Sequence, residues 1–524
     1  MPKSHRSFWA VAFLISAGID FLFWKKSVGI SFFIWSLLAM GGAVYLLYRE
    51  GHRPARESIW LGFMITGLAL IPLIRTEPFT RSVGVLVALF ALMVLATTLR
   101  NGYWSAYTIW DVIRALAVFL FSSVTRPFTL LITRSDSLKS TQGNFITRQG
   151  WAVLRGVMLA LPVVGVLALL LASADIVFAE RLLSVWNVLR LENLPELLFR
   201  VFYIAVFTFI FCGVLLHAVL PSSDVQPTPI DKRIIPPFLG WTESSIVLGS
   251  VNLLFLFFVV LQFRYLFGGQ VNIHETGFTY AEYARRGFGE LVWVACITLL
   301  LILILNTISQ RETPAHQRGF IFLNSLLIGL VLVILASAWQ RLTLYEQAYG
   351  FTRLRTYTFI FIPWLGLLML TVLGLLVAHQ MRRVAQVIFL FTVGFGWLLG
   401  IWNIDGWIVR QNVQRTLEGY DLDGDYLQSL SADAVPEIIR QTQQKDLPEA
   451  ARHELLIGLA CRTSQFPSLK PAWQSFNLSE DRAGKLLSMN TSLWQAYPVK
   501  KDTNGVYVIQ NGTPRYCQPL NHWD

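Results

Sequence analysis

Two short stretches gather the residue types that hold charge or move protons. The first, 279–290, reads Thr-Tyr-Ala-Glu-Tyr-Ala-Arg-Arg-Gly-Phe-Gly-Glu and leads into an apolar run. On a helix, Glu282, Arg286 and Glu290 fall at i, i+4 and i+8 as one charged stripe, with Arg285 beside it. Glu290 is then carried to a membrane edge, where an unpaired carboxylate is costly. The second stretch, 341–355, sets Arg341, Tyr345, Glu346, Tyr349, Arg353 and Arg355 at the mouth of the following apolar run. Two apolar runs separate the stretches, so both face the same side of a membrane and can meet. Arg285, Arg286, Arg353 and Arg355 suit an anionic solute or lipid head group, with Glu282, Glu290 and Glu346 pairing them or relaying protons. The plainer alternative is an interfacial charge network that locks helices together, its tyrosines forming an aromatic belt.

Other chemistries are excluded by spacing. His453-Glu454 opens like a zinc-protease helix, but Ile457 stands where the second histidine belongs. Neither a G-x-S-x-G elbow nor a G-x-x-x-x-G-K-[ST] phosphate loop occurs. Asp421-Leu422-Asp423-Gly424-Asp425 starts like a calcium loop, but its glycine comes two positions early and no glutamate closes it. The eight histidines are scattered, His217 and His379 falling at the ends of apolar runs with their polar tips toward the interface. No metal or cofactor site is expected.

The elements that must position these residues are membrane spans. Only 14% of the 524 residues are charged and 54% are hydrophobic, with a mean hydropathy of +0.52; soluble domains carry about 25% charge. A spanning helix needs roughly 20 apolar residues, and eleven runs qualify: 8–24, 28–47, 58–74, 82–99, 151–173, 200–220, 241–263, 287–307, 319–338, 357–378 and 384–402. A twelfth, 107–124, carries Asp111 and Arg114 on one face and reads as an amphipathic helix at the interface. Lys3 and Arg6 precede an apolar stretch with no small-residue cleavage site, so it reads as a retained first span. The net charge of +11 is spread through loops between apolar runs, which excludes a nucleic-acid surface. A modest excess of Lys and Arg in alternate loops places the N-terminus inside and the C-terminus outside. Gly396-x-x-x-Gly400 in the last span fits close helix packing.

Beyond 404 the composition changes. Residues 405–524 hold 14 Asp and Glu against 12 Lys and Arg, with no run long enough to span. We expect a transmembrane domain over 1–404 and a small, mainly helical soluble domain over 405–524. Helices are predicted over 404–417, from Ser431 with Pro436 in its first turns, from Pro448 and Glu449 after an Asp446 cap, and after Ser479. The tail reads as a β-hairpin, 506–510 and 513–518 flanking Asn511-Gly512. Cys461 and Cys517 are the only cysteines there; in an oxidising compartment they would pair.

At the two charged stretches the chain resembles a bacterial family of multi-span membrane proteins known only as a domain of unknown function. The matching segments are Arg264 to Gly269, the TYAEYARRGF run from Thr279, and Tyr345 to Arg355 with its YGFTRLR motif. Asn403 to Asp405, Asp425-Tyr426-Leu427 and Leu430 to Pro436 extend it. The resemblance implies a membrane protein of the bacterial plasma membrane with an envelope-facing tail, and no reaction. Three functions stay open: a transport-like protein binding a solute or lipid head group, an envelope enzyme acting on a lipid-linked or glycan substrate, and a membrane scaffold or sensor using its C-terminal domain.

Overall fold

In the computed structural model the described residues are 5–137, scattered positions between 156 and 178, 194–220, 226–228, 236–266, 288–465, 472–503, 505–510 and 513–518. Among them, eleven helices are long and apolar enough to cross a membrane. Numbered in chain order they are α1 (His5–Phe23), α2 (Ile30–Arg49), α3 (Arg56–Ala69, continued by a turn over Ile71–Ile74), α4 (Pro78–Thr98), α5 (Ile109–Ser137), α6 (Leu194–Val219), α7 (Trp241–Leu266), α8 (Phe288–Ile308), α9 (Pro314–Tyr349), α10 (Arg353–Val377) and α11 (Val384–Ile401).

One correction concerns α5. The segment expected to lie at the interface starts a 29-residue helix of spanning length. Asp111 is in its first turn, where it accepts the Thr108 N–H at 3.0 Å and the Thr108 hydroxyl at 2.8 Å. The charges that argued against spanning therefore sit at the helix mouth, where N–H groups are unpaired and an anion is welcome. Residues 100–149 are then not one loop, and the basic excess counted on that basis no longer orients the chain. The run 151–173 lies mostly outside the described residues.

The chain forms two compact units, to both of which α2 and α5 contribute. The first comprises 1–24, 42–52 and 118–222. Here α1 lies along α6. Arg200 donates to Asp20 through two nitrogens, the Nε bond measuring 2.8 Å, and the Tyr203 hydroxyl also donates to Asp20. His217 turns inward: 4% exposed, it meets the Ser122 hydroxyl at 2.7 Å rather than reaching the interface.

The second unit holds 25–41, 53–117 and 223–524. Polar residues start its helices. Glu77 caps α4 ahead of Pro78, accepting the N–H groups of Phe79 and Thr80 at 2.9 and 2.7 Å. Thr313 caps α9 in the same way. At 36 residues α9 is about 54 Å long, well beyond a hydrocarbon core of about 30 Å, so an end must project. Gly350 stops it at φ +80°, a conformation glycine tolerates. The α11 glycines let α3 approach: a Cβ on Gly396 would stand 2.9 Å from Leu68 Cδ2, and one on Gly400 2.7 Å from Ile71 Cγ1.

The C-terminal segment contributes α12 (Ile404–Leu417), α13 (Gly424–Ser429), α14 (Val435–Thr442), α15 (Glu449–Gln465) and α16 (Leu478–Met489). A three-stranded antiparallel sheet follows in the order β1 (Val499–Asp502), β2 (Gly505–Gln510), β3 (Thr513–Tyr516). The expected hairpin is β2–β3, with Gln510 opposite Thr513 and β1 added. Asp423 caps α13 and Asp425 pairs with Arg515 at 2.7 Å, so these acids shape a turn. One apolar core runs from Tyr357, Ile360 and Leu399 of α10 and α11 into Ile408, Val435, Ile457 and Val508. Cys461 and Cys517 form a disulfide with Cα atoms 5.5 Å apart.

Candidate functional site

The polar centre of the second unit lies where α10 and α11 meet the C-terminal segment. Arg353, the first residue of α10, donates from Nε and Nη2 to the two oxygens of Asp405 at 2.9 and 2.7 Å. Asp405 sits in the first turn of α12, opened by Asn403 as N-cap, and is completely buried. Its Oδ2 also accepts the Ser431 N–H at 2.7 Å, and the Arg353 N–H reaches the Tyr426 hydroxyl at 2.7 Å. Burial alone would raise the Asp405 carboxyl, but the Arg353 guanidinium and the Ser431 bonds hold it below the ordinary carboxylate range.

A second carboxylate adjoins it. Asp433 Oδ2 accepts the N–H groups of Thr76 and Glu77 at 3.0 and 2.9 Å, fastening the α3–α4 turn to the C-terminal segment. Its Oδ1 is buried without a hydrogen-bond partner. Burial and, more weakly, the nearby Asp405 charge push this carboxyl up, more than the Ser479 hydroxyl and the backbone bonds pull it down. Arg462 is 1% exposed and gives bonds of 2.9 Å to the carbonyls of Leu427, Leu430 and Ser431. Burial pushes its guanidinium down to about 10. Arg75 donates to the last α11 carbonyls, Gly400 at 2.8 Å and Ile401 at 2.6 Å. Chain segments distant in sequence thus converge on three guanidiniums, those of Arg75, Arg353 and Arg462, and two carboxylates, Asp405 and Asp433.

The stretch singled out in the sequence continues from this centre. Arg355 donates to the Gly350 carbonyl at 2.6 Å and the Tyr345 hydroxyl at 3.1 Å, its guanidinium 4.1 Å from the Tyr345 ring centroid. Tyr349 stands edge-on to Tyr345, centroids 5.1 Å apart. Arg415 of α12 binds the α9 carbonyls of Gln347 and Ala348, and Asn412 pairs with both backbone groups of Phe351. Glu346, 1% exposed, buries Oε1 without a hydrogen-bond partner, and Arg341 is 8% exposed. Glu290 lies exposed in the first turn of α8. Glu282, Arg285 and Arg286 lie outside the described residues, as does the meeting of the two stretches.

Sequence reasoning named Arg353 but not its partner Asp405, nor Asp433, Glu77 or Arg462. A signal was present: Asn403 to Asp405 and Leu430 to Pro436 stand among the resembling segments, and they meet here. Among the described residues no group of three or more His, Cys, Asp or Glu is arranged to hold a metal ion. Residues 62–441 match the model of a family described as a domain of unknown function (DUF4153). No curated protein and no solved structure matches the chain.

Proposed function

From the premise that the chain belongs to the DUF4153 family, we propose that this multi-pass membrane protein is a scaffold or sensor whose C-terminal segment is locked to its spans. What carries the reading is Asp405, buried completely and bonded at once to Arg353 of a span and to the Ser431 backbone. Arg353 and Arg355 donate to internal partners, which supports this reading over one in which they hold an anion. A rigid link of this kind carries a displacement of α10 directly into the domain.

The transport-like alternative keeps one specific observation, the unpartnered Glu346 oxygen beside Arg355. In cells lacking the gene, Asp405→Asn should fail to restore the wild-type phenotype while Glu346→Gln restores it; the reverse pattern would favour transport. Spin labels at Lys500 and Gln380 give the physical readout: one narrow distance in the wild type, broadened by Asp405→Asn. We further propose residence in a bacterial plasma membrane with the C-terminal domain outside, since a disulfide suits an oxidising compartment. An impermeant thiol reagent applied to intact cells should label Cys461 and Cys517 only after reduction. Labelling that requires opened membranes would reverse the orientation.

A further inference from the structure

We propose that the cavity between α4, α5 and α11 binds one acyl chain of a phospholipid whose phosphate is held by Arg100 and Arg383. The cavity measures about 260 Å³ and lies within the last two turns of α4 and the first two of α5 and α11. Its wall includes Val94, Ala115, Leu116, Phe389 and, from α8, Leu303. At this end of the helices it sits toward the membrane face opposite the C-terminal segment, because α4 and α11 each have their other end at the junction.

The wall's polar groups are already engaged. Thr97 donates to the Val94 carbonyl at 2.8 Å and Thr392 to the Ile388 carbonyl at 2.9 Å, each within its own helix. The Trp104 indole N–H donates to the Glu57 carbonyl at 3.0 Å, so its ring is left to line the space. Such a wall has little to offer a polar substrate or an ordered water, which needs two or more polar partners. Apolar cavities of about 150 Å³ take up small hydrocarbons. This one is larger, and it is walled by spans that lipid surrounds.

The mouth supplies the charge. Arg100 follows cavity-lining Thr97 by three residues, and Arg382 and Arg383 lie three and two residues before cavity-lining Ala385. Arg382 is tied to the Thr228 carbonyl at 2.5 Å. Arg383 is exposed, and Arg100 buries Nη1 without a hydrogen-bond partner. A phosphate at this level would complete Arg100 while its chain fills the space below. The site takes a lipid already present in the bilayer, and it stands independently of the scaffold reading.

The test uses the full chain in nanodiscs containing phosphatidylglycerol with a diazirine on one acyl chain. Photolabel should map to 90–97, 109–116 and 385–392. Ala115→Phe, which fills the cavity, should reduce that label at least fivefold. Ala385→Leu does the same with a smaller change and carries the test if Ala115→Phe does not fold, as judged by size exclusion. Arg100→Gln with Arg383→Gln should reduce labelling by phosphatidylglycerol but not by a diazirine-bearing diacylglycerol. Label confined to lipid-facing positions such as Leu86 and Phe121, or unchanged in the filled variants, would overturn the chain site. Equal losses with both probes would overturn the phosphate assignment.

Discussion

Replacing Asp405 by Asn should damage the protein more than replacing Asp405 and Arg353 together by apolar residues. The pair is bidentate at 2.9 and 2.7 Å, with side-chain exposures of 0% for Asp405 and 9% for Arg353. Screening by water is therefore nearly absent. An Asn retains one acceptor oxygen but turns its NH2 toward the guanidinium, leaving Arg353 buried without a counter-charge. Removing one partner of a buried pair costs about 3–5 kcal/mol, or roughly two to three and a half powers of ten in the folding equilibrium. The double variant Arg353→Met, Asp405→Leu removes both charges while keeping most of the volume. Its main residual cost is the orphaned Ser431 N–H, about 1–3 kcal/mol. Thermal unfolding of the four proteins in nanodiscs, followed by size exclusion, gives the comparison. A double variant that melts above both single variants supports the reasoning. An Asp405→Asn variant within about 1 kcal/mol of wild type, as for an exposed pair, would refute it.

Opening the Cys461–Cys517 loop, which spans 56 positions, should cost about 4 kcal/mol by the chain-entropy relation; Cys461→Ser with Cys517→Ser, melted beside the reduced wild type, measures it. For Asp433 the folded carboxyl titrates above its unfolded value, so its contribution is present at low pH and fades as pH rises through the folded value. Asp433→Asn keeps an acceptor for the Thr76 and Glu77 N–H groups. It should melt above wild type at pH 8 with the gap closing toward pH 4, and a gap that widens on acidification would contradict the assignment. Gly400→Ala should cost about 1–3 kcal/mol by overpacking Ile71, visible as a lower melting temperature with the charged junction intact.

What the sequence disclosed followed from the range of each signal. The Pro448-Glu449 helix start, the alternation after Gly505 and most of the long apolar runs are local and produced elements close to their predicted bounds; the 319–338 run extends to Pro314–Tyr349, and 151–173 lies mostly outside the described residues. The Asp111–Arg114 pair misled because composition over a window cannot tell a charge inside a span from one capping its first turn. Arg353 stood out because it sits in a dense charged stretch. Its partner did not, because Asp405 lies 52 residues on, in a helix that reads as ordinary amphipathic sequence.

Asp433 shows most clearly why the junction was hidden. Its recognised groups are backbone N–H donors of Thr76 and Glu77, more than 350 residues earlier, and a backbone donor leaves no mark in residue type. Arg462 is similar, since its partners are backbone carbonyls of α13 and of the residues just after it. Periodicity readily reveals charged pairs on a helix face, which are in general exposed and weakened by water. The groups that tie the C-terminal segment to the spans are buried, far apart in the chain and matched partly to backbone. Periodicity cannot display them, and the folded arrangement pairs Arg353 with a carboxylate far along the chain.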